Sequence, residues 1–434
     1  MSSQPVRVGL LGCGNVGGAL LGLLLRDADA IEARTGVRLE VTRVAVRSVA
    51  RERSSVVPAE MLTADAAEVV SADDVDVVVE VIGGIEPART LIHAALSAGK
   101  PVVTANKELL ANVGGELSRV AAASGVDLLY EASVAGAIPV IRPLRESLAG
   151  ERITRVMGIV NGTTNYILTR MTEQRATYAE ALSEAQSLGF AERDPTADVE
   201  GFDASAKTAI LATIAFGAEV VAGDVYREGI SAITPDVIAV ADRLGYVVKL
   251  LAIAERVGGR DGPDAVTARV HPAMLPKEHP LASVRGSFNA VFVEGDAVGE
   301  LMLYGRGAGG LPTAGAVLGD LIDAAHNLRS GGGSRNAIAP RAKVHPIDDL
   351  RTQYYLDVDV VDRPGVLAAV AQIFGEHTVS IRSMEQSGLG DEARLIFITH
   401  SARESDVQAT VAALHQLDAV KRVGSVLRVV GGEA

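Results

Sequence analysis

The chain has 434 residues, 48% hydrophobic and 22% charged, with 45 glycines, which fits a globular protein of two or three domains. Its net charge of −13 argues against a nucleic-acid backbone or an anionic membrane surface as the main partner. A single cysteine rules out an intramolecular disulfide and cysteine-based zinc sites, and a reducing cytoplasm is the expected compartment.

Val6 to Leu11 is a short apolar run suited to a strand buried on both faces. It leads into Gly12-Cys13-Gly14-Asn15-Val16-Gly17, a match to G-x-G-x-x-G, with the apolar helix Ala19 to Leu25 behind it. Glycines at these positions let the backbone turn sharply, approach a pyrophosphate and pack the helix close to the strand. Hydropathy alone, with Arg7 in front, would make Val8 to Leu25 a signal peptide or a membrane anchor, but glycines at 9, 12, 14, 17 and 18 are costly in a continuous helix. Strand, turn and helix is the expected reading, with a dinucleotide at the helix N-terminus.

The second strand is expected at Glu40 to Val46, and it ends at Arg47, with Arg51 and Arg53 following. An acidic residue there would bind the ribose hydroxyl of NAD(H), whereas arginine suits the 2′-phosphate of NADP(H). Further alternation follows: strand Val75 to Ile82, Gly83-Gly84, helix Pro87 to Ser97, and strand Pro101 to Thr104 before Ala105-Asn106-Lys107. Lys107 thus falls just past a strand end, where doubly wound sheets place their ligands. A lysine at a helix start would look the same.

Between the strand Ile153 to Val160 and the helix Ile167 to Thr172, residues 161–166 (Asn-Gly-Thr-Thr-Asn-Tyr) read as a polar loop whose threonine hydroxyls and helix-entry N–H groups suit a small carboxylate; a simple N-cap turn would look the same. Residues 189–207 then gather Glu192, Asp194, Asp198, Glu200, Asp203 and Lys207 ahead of a nearly uncharged run, Thr208 to Ala218. If a helix opens here, Asp203 and Lys207 stand at i and i+4 on one face. Carboxylate neighbours favour the ammonium and burial favours the amine, so sequence leaves the direction of any pKa shift open. A surface ion pair has the same spacing.

Gly305 to Leu311 is glycine-rich and precedes Pro312 and the expected helix Thr313 to Leu328; residues 329–350 read as a polar linker. A βαββαβ pattern completes the chain: strand Tyr354 to Val361, the turn Asp362-Arg-Pro-Gly, helix Val366 to Glu376, strands Val379 to Gln386 and Arg394 to His400, helix Glu404 to Gln416, and a strand near Ala419 to Val430.

Four motifs stand in order behind the dinucleotide loop: Asn161-Gly-Thr-Thr-Asn-Tyr, Gly189-Phe-Ala-Glu-Arg-Asp-Pro-Thr-Ala-Asp, Gly201-Phe-Asp-Ala-Ser-Ala-Lys and Gly305-Arg-Gly-Ala-Gly-Gly-Leu-Pro-Thr-Ala. Together they make the chain resemble the homoserine dehydrogenase family, in its long form, over essentially its whole length. The segment from Asp362-Arg-Pro-Gly-Val-Leu to Val379-Ser-Ile resembles an ACT domain, a small ligand-binding module. The fold this implies is α/β: a Rossmann domain over 1–140 plus 305–330, an inserted substrate-binding and dimerisation domain over 141–304, a linker over 331–350 and an ACT domain over 351–434.

The resemblance also implies site residues and ligands. Lys207 would give a proton to the aldehyde oxygen of L-aspartate 4-semialdehyde while NADPH delivers hydride, with Lys107 near the nicotinamide. Glu192, Asp203, Gly162 and Thr163 would meet the substrate, and Asp198 would stand near the catalytic lysine. Gly12, Gly14, Asn15, Val16, Gly17, Arg47, Thr104, Lys107, Gly189 and Gly307 would meet the cofactor. The backbone carbonyls of Glu131, Val134, Gly136 and Ile138 would hold a monovalent cation such as sodium; in an extended segment the last three would point the same way, though on its residues alone the segment reads as a strand and a glycine turn. A homodimer or homotetramer and an L-threonine effector are further expectations. Two rivals fare poorly. A semialdehyde dehydrogenase forming an acyl phosphate needs a thiolate, and the one cysteine, Cys13, lies inside the dinucleotide loop. A regulator with a decayed enzyme body would not keep Lys107, Glu192, Asp203 and Lys207.

Overall fold

The computed structural model describes residues 4–49, 57–257, 265–332, 339–388 and 391–431. Arg51 and Arg53 therefore lie outside the described residues. Six parallel strands form the first sheet: β1 (Val6–Leu11), β2 (Leu39–Ala45), β3 (Leu62–Thr63), β4 (Val77–Glu80), β5 (Val102–Thr104) and β6 (Leu128–Leu129), in the order β3-β2-β1-β4-β5-β6. That order is the Rossmann arrangement, and it puts a dinucleotide crevice at the carboxyl ends of β1 and β4. Helices α1 (Asn15–Thr35), α2 (Ala66–Ser71), α3 (Ala88–Ser97) and α4 (Lys107–Ser124) connect the strands. No helix among the described residues is long and apolar enough to cross a membrane; Val8 to Leu25 is divided between β1, a glycine turn and α1.

The second unit carries β7 (Ile153–Ile159), helices α5 (Gly162–Gln174), α6 (Tyr178–Ser187), α7 (Thr196–Val199) and α8 (Phe202–Phe216), strand β8 (Tyr226–Arg227), α9 (Pro235–Arg243), and the long strands β9 (Tyr246–Val257), β10 (Ala265–Pro276), β11 (Phe288–Gly295) and β12 (Gly299–Arg306). After β12 the chain returns to the first unit as α10 (Gly310–Ser330). There Ala314, Val317, Leu321, Ala324 and Ala325 share a core with Leu20, Leu21 and Leu24 of α1.

The third unit comprises β14 (Arg351–Val361), α11 (Val366–Glu376), β15 (Ile381–Gly388), β16 (Glu392–Thr399), the short β17 (Ala402–Arg403), α12 (Glu404–Leu414) and β18 (Val420–Val429), with the short β13 (Lys343–Val344) ahead of it. Its sheet is not separate from that of the second unit. Parallel pairing of β18 with β10, through Ala273 with Arg428 and Met274 with Val429, fuses the two into one sheet of twelve strands. The segment read as a linker is likewise docked over its described end: β13 pairs with β10, and Glu219 exchanges backbone bonds with Pro340 and Ala342.

Two expectations from sequence change here. Residues 161–166 are not a loop, because Asn161 caps α5 by accepting the Thr164 N–H at 2.9 Å and the helix starts at Gly162. Such a cap is worth about 1 kcal/mol, enough to start the helix five residues earlier than hydrophobic periodicity suggests. The cation segment is not extended either: Glu131–Ser133 form a 3₁₀ turn, and Ala135 and Gly136 both have φ of 56°. The simple alternation of carbonyls argued from sequence therefore does not apply.

Candidate active site

The glycine loop has the shape its sequence requires. Gly12 adopts φ of 101°, and a Cβ on Gly17 would lie 2.1 Å from the Gly12 carbonyl oxygen, so only glycine lets α1 sit this close to β1. A Cβ on Gly14 would meet no protein atom within 4 Å, which leaves that side of the loop open to a ligand. Asn15 and Val16 begin α1, and its free N–H groups face the same region. The N-terminus of α10 converges there too, since a Cβ on Gly310 would lie 2.8 Å from the Asn15 carbonyl oxygen. Two positive helix ends at one loop suit a pyrophosphate. Arg47 stands exposed beyond the end of β2.

Lys107 is placed by a cap. Asn106 accepts the Leu109 N–H at 3.1 Å and donates to the Gly84 carbonyl at 2.6 Å, which fixes the first turn of α4. Buried Glu80 accepts from the N–H groups of Ile82 and Gly83 and from the Thr104 hydroxyl at 2.7 Å, and so holds the strand ends on which that turn rests. The Thr104 hydroxyl is thereby committed to shaping the turn.

The first and second units meet at Asp203. Its Oδ1 lies 2.6 Å from Lys107 Nζ and its Oδ2 lies 2.7 Å from Lys207 Nζ. The Asp203 and Lys207 side chains are 8% and 10% exposed, while that of Lys107 is 44% exposed. The helix spacing expected for Asp203 and Lys207 is realised in α8, and Lys207 also donates to the Val160 carbonyl at 2.7 Å. Asn161 donates to Asp203 Oδ2 at 2.9 Å and to Asp198 Oδ1 at 2.6 Å, tying the two carboxylates together.

This geometry settles the shifts that sequence left open. Burial pushes the Lys207 ammonium below the ordinary lysine value, and the opposing pull of Asp203 does not recover it. Burial also depresses Lys107, but there the charge of Asp203 wins and the value is raised. Asp203 is held far below the carboxylate range: burial opposes its ionisation, and the two lysines overcome that. Asp198 is raised by burial, with Asp203 adding to the effect and the Asn161 hydrogen bond reducing it. The site thus holds one carboxylate kept ionised by its two lysines, one lysine whose proton affinity is lowered and one whose proton affinity is raised.

The remaining residues separate into two groups. Gly162 packs against β11, where a Cβ would lie 2.7 Å from the Ser287 carbonyl oxygen, and the Thr163 hydroxyl donates to Phe190 at 2.6 Å. Thr164 Oγ1 donates to Asn161 Oδ1 at 2.9 Å, so both hydroxyls proposed from sequence as carboxylate receivers already have partners. Glu192 stands exposed on the loop between α6 and α7, and Gly189 turns with φ of 76° just before it. No bond joins the Glu192 side chain to the lysine cluster. Gly307 reaches the cation segment, where a Cβ on Gly136 would lie 2.5 Å from its carbonyl oxygen. In that segment the Glu131 carboxylate accepts N–H bonds from Val140, Ile141 and Arg142 at 2.6–2.8 Å, and no bond among the described residues engages the carbonyls of Val134, Gly136 or Ile138. Sequence missed Asn161, Asn106 and Glu80 as site-building residues; the two asparagines carried a signal as helix caps beside the motifs, whereas Glu80 looked like the end of an apolar strand.

A glycine loop between strand and helix, with a lysine pair on a shared aspartate at the carboxyl end of the same sheet, fits the class of nicotinamide-dinucleotide-dependent oxidoreductases. The comparisons narrow the class. Family models described as homoserine dehydrogenase, NAD binding domain, as homoserine dehydrogenase and as ACT domain match residues 12–131, 139–322 and 354–419. The homoserine dehydrogenases of Mycobacterium tuberculosis and Corynebacterium glutamicum are each 51% identical, over 99% and 98% of this chain and 98% and 96% of theirs. A crystal structure of a homoserine dehydrogenase from Thiobacillus denitrificans superposes with a TM-score of 0.92 at 41% identity, covering 98% of both chains. A hyperthermophilic archaeal homoserine dehydrogenase mutant in complex with NADPH aligns at 30% identity and a TM-score of 0.63, covering 75% of this chain and 98% of that one. The chain belongs to the homoserine dehydrogenase family.

Removing Asp203 should uncover its role as the shared counter-ion. Asp203→Ala leaves the buried Lys207 ammonium without its ionised partner and is expected to cost about 3 kcal/mol, whereas Glu192→Ala on the exposed loop should change stability by less than ~0.5 kcal/mol. Thermal or urea unfolding of the two variants measures the difference; equal midpoints would refute the shared-counter-ion account.

Proposed function

We propose that the protein catalyses the reversible reduction of L-aspartate 4-semialdehyde to L-homoserine, on the route to threonine, isoleucine and methionine, with Lys207 as the proton donor and acceptor. The observation that carries this reading is the buried Lys207 ammonium, 2.7 Å from Asp203, at the meeting of the dinucleotide-binding and second units. Bound NADPH supplies a hydride to the carbonyl carbon. As that bond forms, negative charge develops on the aldehyde oxygen, and a protonated lysine in a site poor in water neutralises it best. Burial makes Lys207 the better acid of the two lysines. Lys107, held charged by Asp203 at the end of β5, adds positive potential beside the nicotinamide and the reacting carbon. Asp198 and Glu192 supply acidic surroundings for the substrate α-ammonium. Asp203 stays ionised throughout and fixes the distance between the lysines.

The cofactor reading is NADP(H) before NAD(H), supported by the exposed arginine at the end of β2 where an acidic residue would select NAD(H). A sodium ion suits the carbonyl oxygens of Glu131, Val134, Gly136 and Ile138, and two successive left-handed residues there turn the backbone within a short span. The ACT unit is read as an L-threonine sensor, with Gly365 at φ of 89° leaving the Asp362–Gly365 turn open to a bound amino acid. Edge strand β15 is exposed along nearly all its length and suits pairing with a second copy, as a homodimer or homotetramer requires.

In the direction of homoserine oxidation Lys207 must accept a proton, so it must first be neutral. The rate is therefore expected to rise with pH through the lowered Lys207 pKa and to level off below the ordinary lysine range near 10.5. Profiles of kcat/KM against pH for wild type and Lys207→Arg check this; a limb retained in the variant would assign the base elsewhere. Arg47→Ala should lower the NADPH-to-NADH ratio of kcat/KM at least about fivefold, the scale of one phosphate contact, and an unchanged ratio would remove Arg47 from the cofactor site. Exchanging sodium for tetramethylammonium should lower turnover, and saturating L-threonine should change turnover or assembly size; indifference to either removes that ligand from the account.

A further inference from the structure

The third unit is joined to the second by more than sheet pairing. Arg428, on β18, is 5% exposed at its side chain, and its guanidinium grips both oxygens of Glu404 at 2.8 Å. Its remaining nitrogen, Nη1, reaches out of the third unit to Glu228 Oε1 at 2.8 Å. The Tyr226 hydroxyl donates to the same oxygen, and the Arg428 guanidinium lies 5.3 Å from the centre of the Tyr226 ring. The Tyr354 hydroxyl donates to Glu404 from β14. Arg428 is thus a buried cation shared between two carboxylates, one in each unit: the contact to Glu404 is buried on both sides, and the one to Glu228 is charge-assisted at a partly exposed carboxylate.

Glu228 belongs to a short splint that ends at the catalytic helix. Its own N–H bonds to the Val270 carbonyl of β10 at 2.8 Å. One residue before it, the Arg227 guanidinium lies 3.6 Å from the centre of the Phe202 ring, and Phe202 is the residue before Asp203. One residue after it, Gly229 is pressed against α7, where a Cβ would lie 2.5 Å from the Val199 carbonyl oxygen. Next, the Ile230 N–H bonds to that carbonyl at 2.8 Å, and Val199 is the residue after Asp198. The segment 226–230 therefore touches the chain immediately beside both carboxylates that Asn161 ties together.

We infer that Arg428, a residue of the third unit, is a positioning residue for the reaction: acting through Glu228 and the 226–230 segment, it sets where α7 and the start of α8 hold Asp198, Asp203 and Lys207. The inference rests on the reading of Lys207 and Asp203 as the proton-transferring pair and adds to it the means by which the third unit bears on that pair. Proton and hydride transfer demand alignment to a fraction of an ångström, so a small shift of the α8 N-terminus acts on turnover more than on cofactor binding, which the first unit supplies.

The test uses the full chain and follows NADP-dependent oxidation of L-homoserine together with the dissociation constant for NADP⁺. Glu228→Ala should lower kcat about tenfold with the NADP⁺ dissociation constant unchanged within about twofold, and Glu228→Gln, which keeps the oxygen that Arg428 and Tyr226 address, should recover most of that loss. Arg227→Met changes an exposed side chain and keeps the fold, so it provides a second reading; it should lower kcat about threefold through Phe202. Wild-type kcat in Glu228→Ala would overturn the inference, whatever Arg227→Met shows. So would a Glu228→Ala enzyme that loses cofactor affinity and turnover in equal measure, since general loosening of the fold does that. Lys207→Ala, run alongside, separates the two claims. Retained turnover there defeats the proton-transfer reading, whereas a dead Lys207→Ala beside an unaffected Glu228→Ala defeats only the positioning role.

Discussion

Asp203 bridges two lysines that come from different folding units, and the arrangement of the site depends on that double contact. Lys107 reaches it from the end of a parallel sheet and Lys207 from one turn along α8, at 2.6 and 2.7 Å. A lone buried ammonium would shed its proton or unfold its surroundings, and a lone buried carboxylate would protonate. Held on one shared carboxylate, the two ammonium groups stand together at one point of the site, where they suit an oxygen that becomes negative during reaction. The two lysines are not equivalent. The less exposed one has the lower proton affinity, and in the proposed reaction that inequality separates the proton donor from the electrostatic partner.

Around this cluster the structure spends polar residues on position. Asn161 caps α5 and links Asp198 to Asp203; Asn106 caps α4 and anchors the Gly83-Gly84 turn; Glu80 braces the strand ends below them. These are buried groups with their hydrogen-bonding capacity met, which makes them rigid rather than costly. The shared sheet extends the same rigidity into the third unit, where Arg428 meets Glu228 across the seam. An ACT unit fused through its sheet needs no hinge to bear on the site.

Much of this was legible in the sequence where the cause is local. The strand, glycine turn and helix at Val6 to Leu25 follow from apolar runs and from glycines whose Cβ has no room, as Gly17 against Gly12 demonstrates. The spacing of Asp203 and Lys207 follows from helix geometry alone. What escaped was set by partners distant in the chain or by short-range capping that outweighed periodicity. Asn-Gly-Thr-Thr-Asn-Tyr looked like a loop because it is polar, yet its polarity is what starts the helix. Glu131 to Ile138 read from its residues as a strand and a glycine turn; Gly136 does turn, but a 3₁₀ turn at Glu131–Ser133 and a left-handed Ala135 stand where the strand was expected. Arg428 and Glu228 are 200 residues apart, and no local pattern marks them as a pair.

The most direct test of the central claim is the turnover of L-homoserine with NADP⁺ by wild type, Lys207→Ala and Lys107→Ala, with cofactor affinity measured on each. The account predicts that Lys207→Ala loses at least about 100-fold in kcat while still binding NADP⁺, the scale expected for removal of a positioned acid–base group, and that Lys107→Ala retains more activity than Lys207→Ala. A Lys207→Ala enzyme that turns over like wild type, or a Lys107→Ala enzyme that is the more damaged of the two, would contradict it.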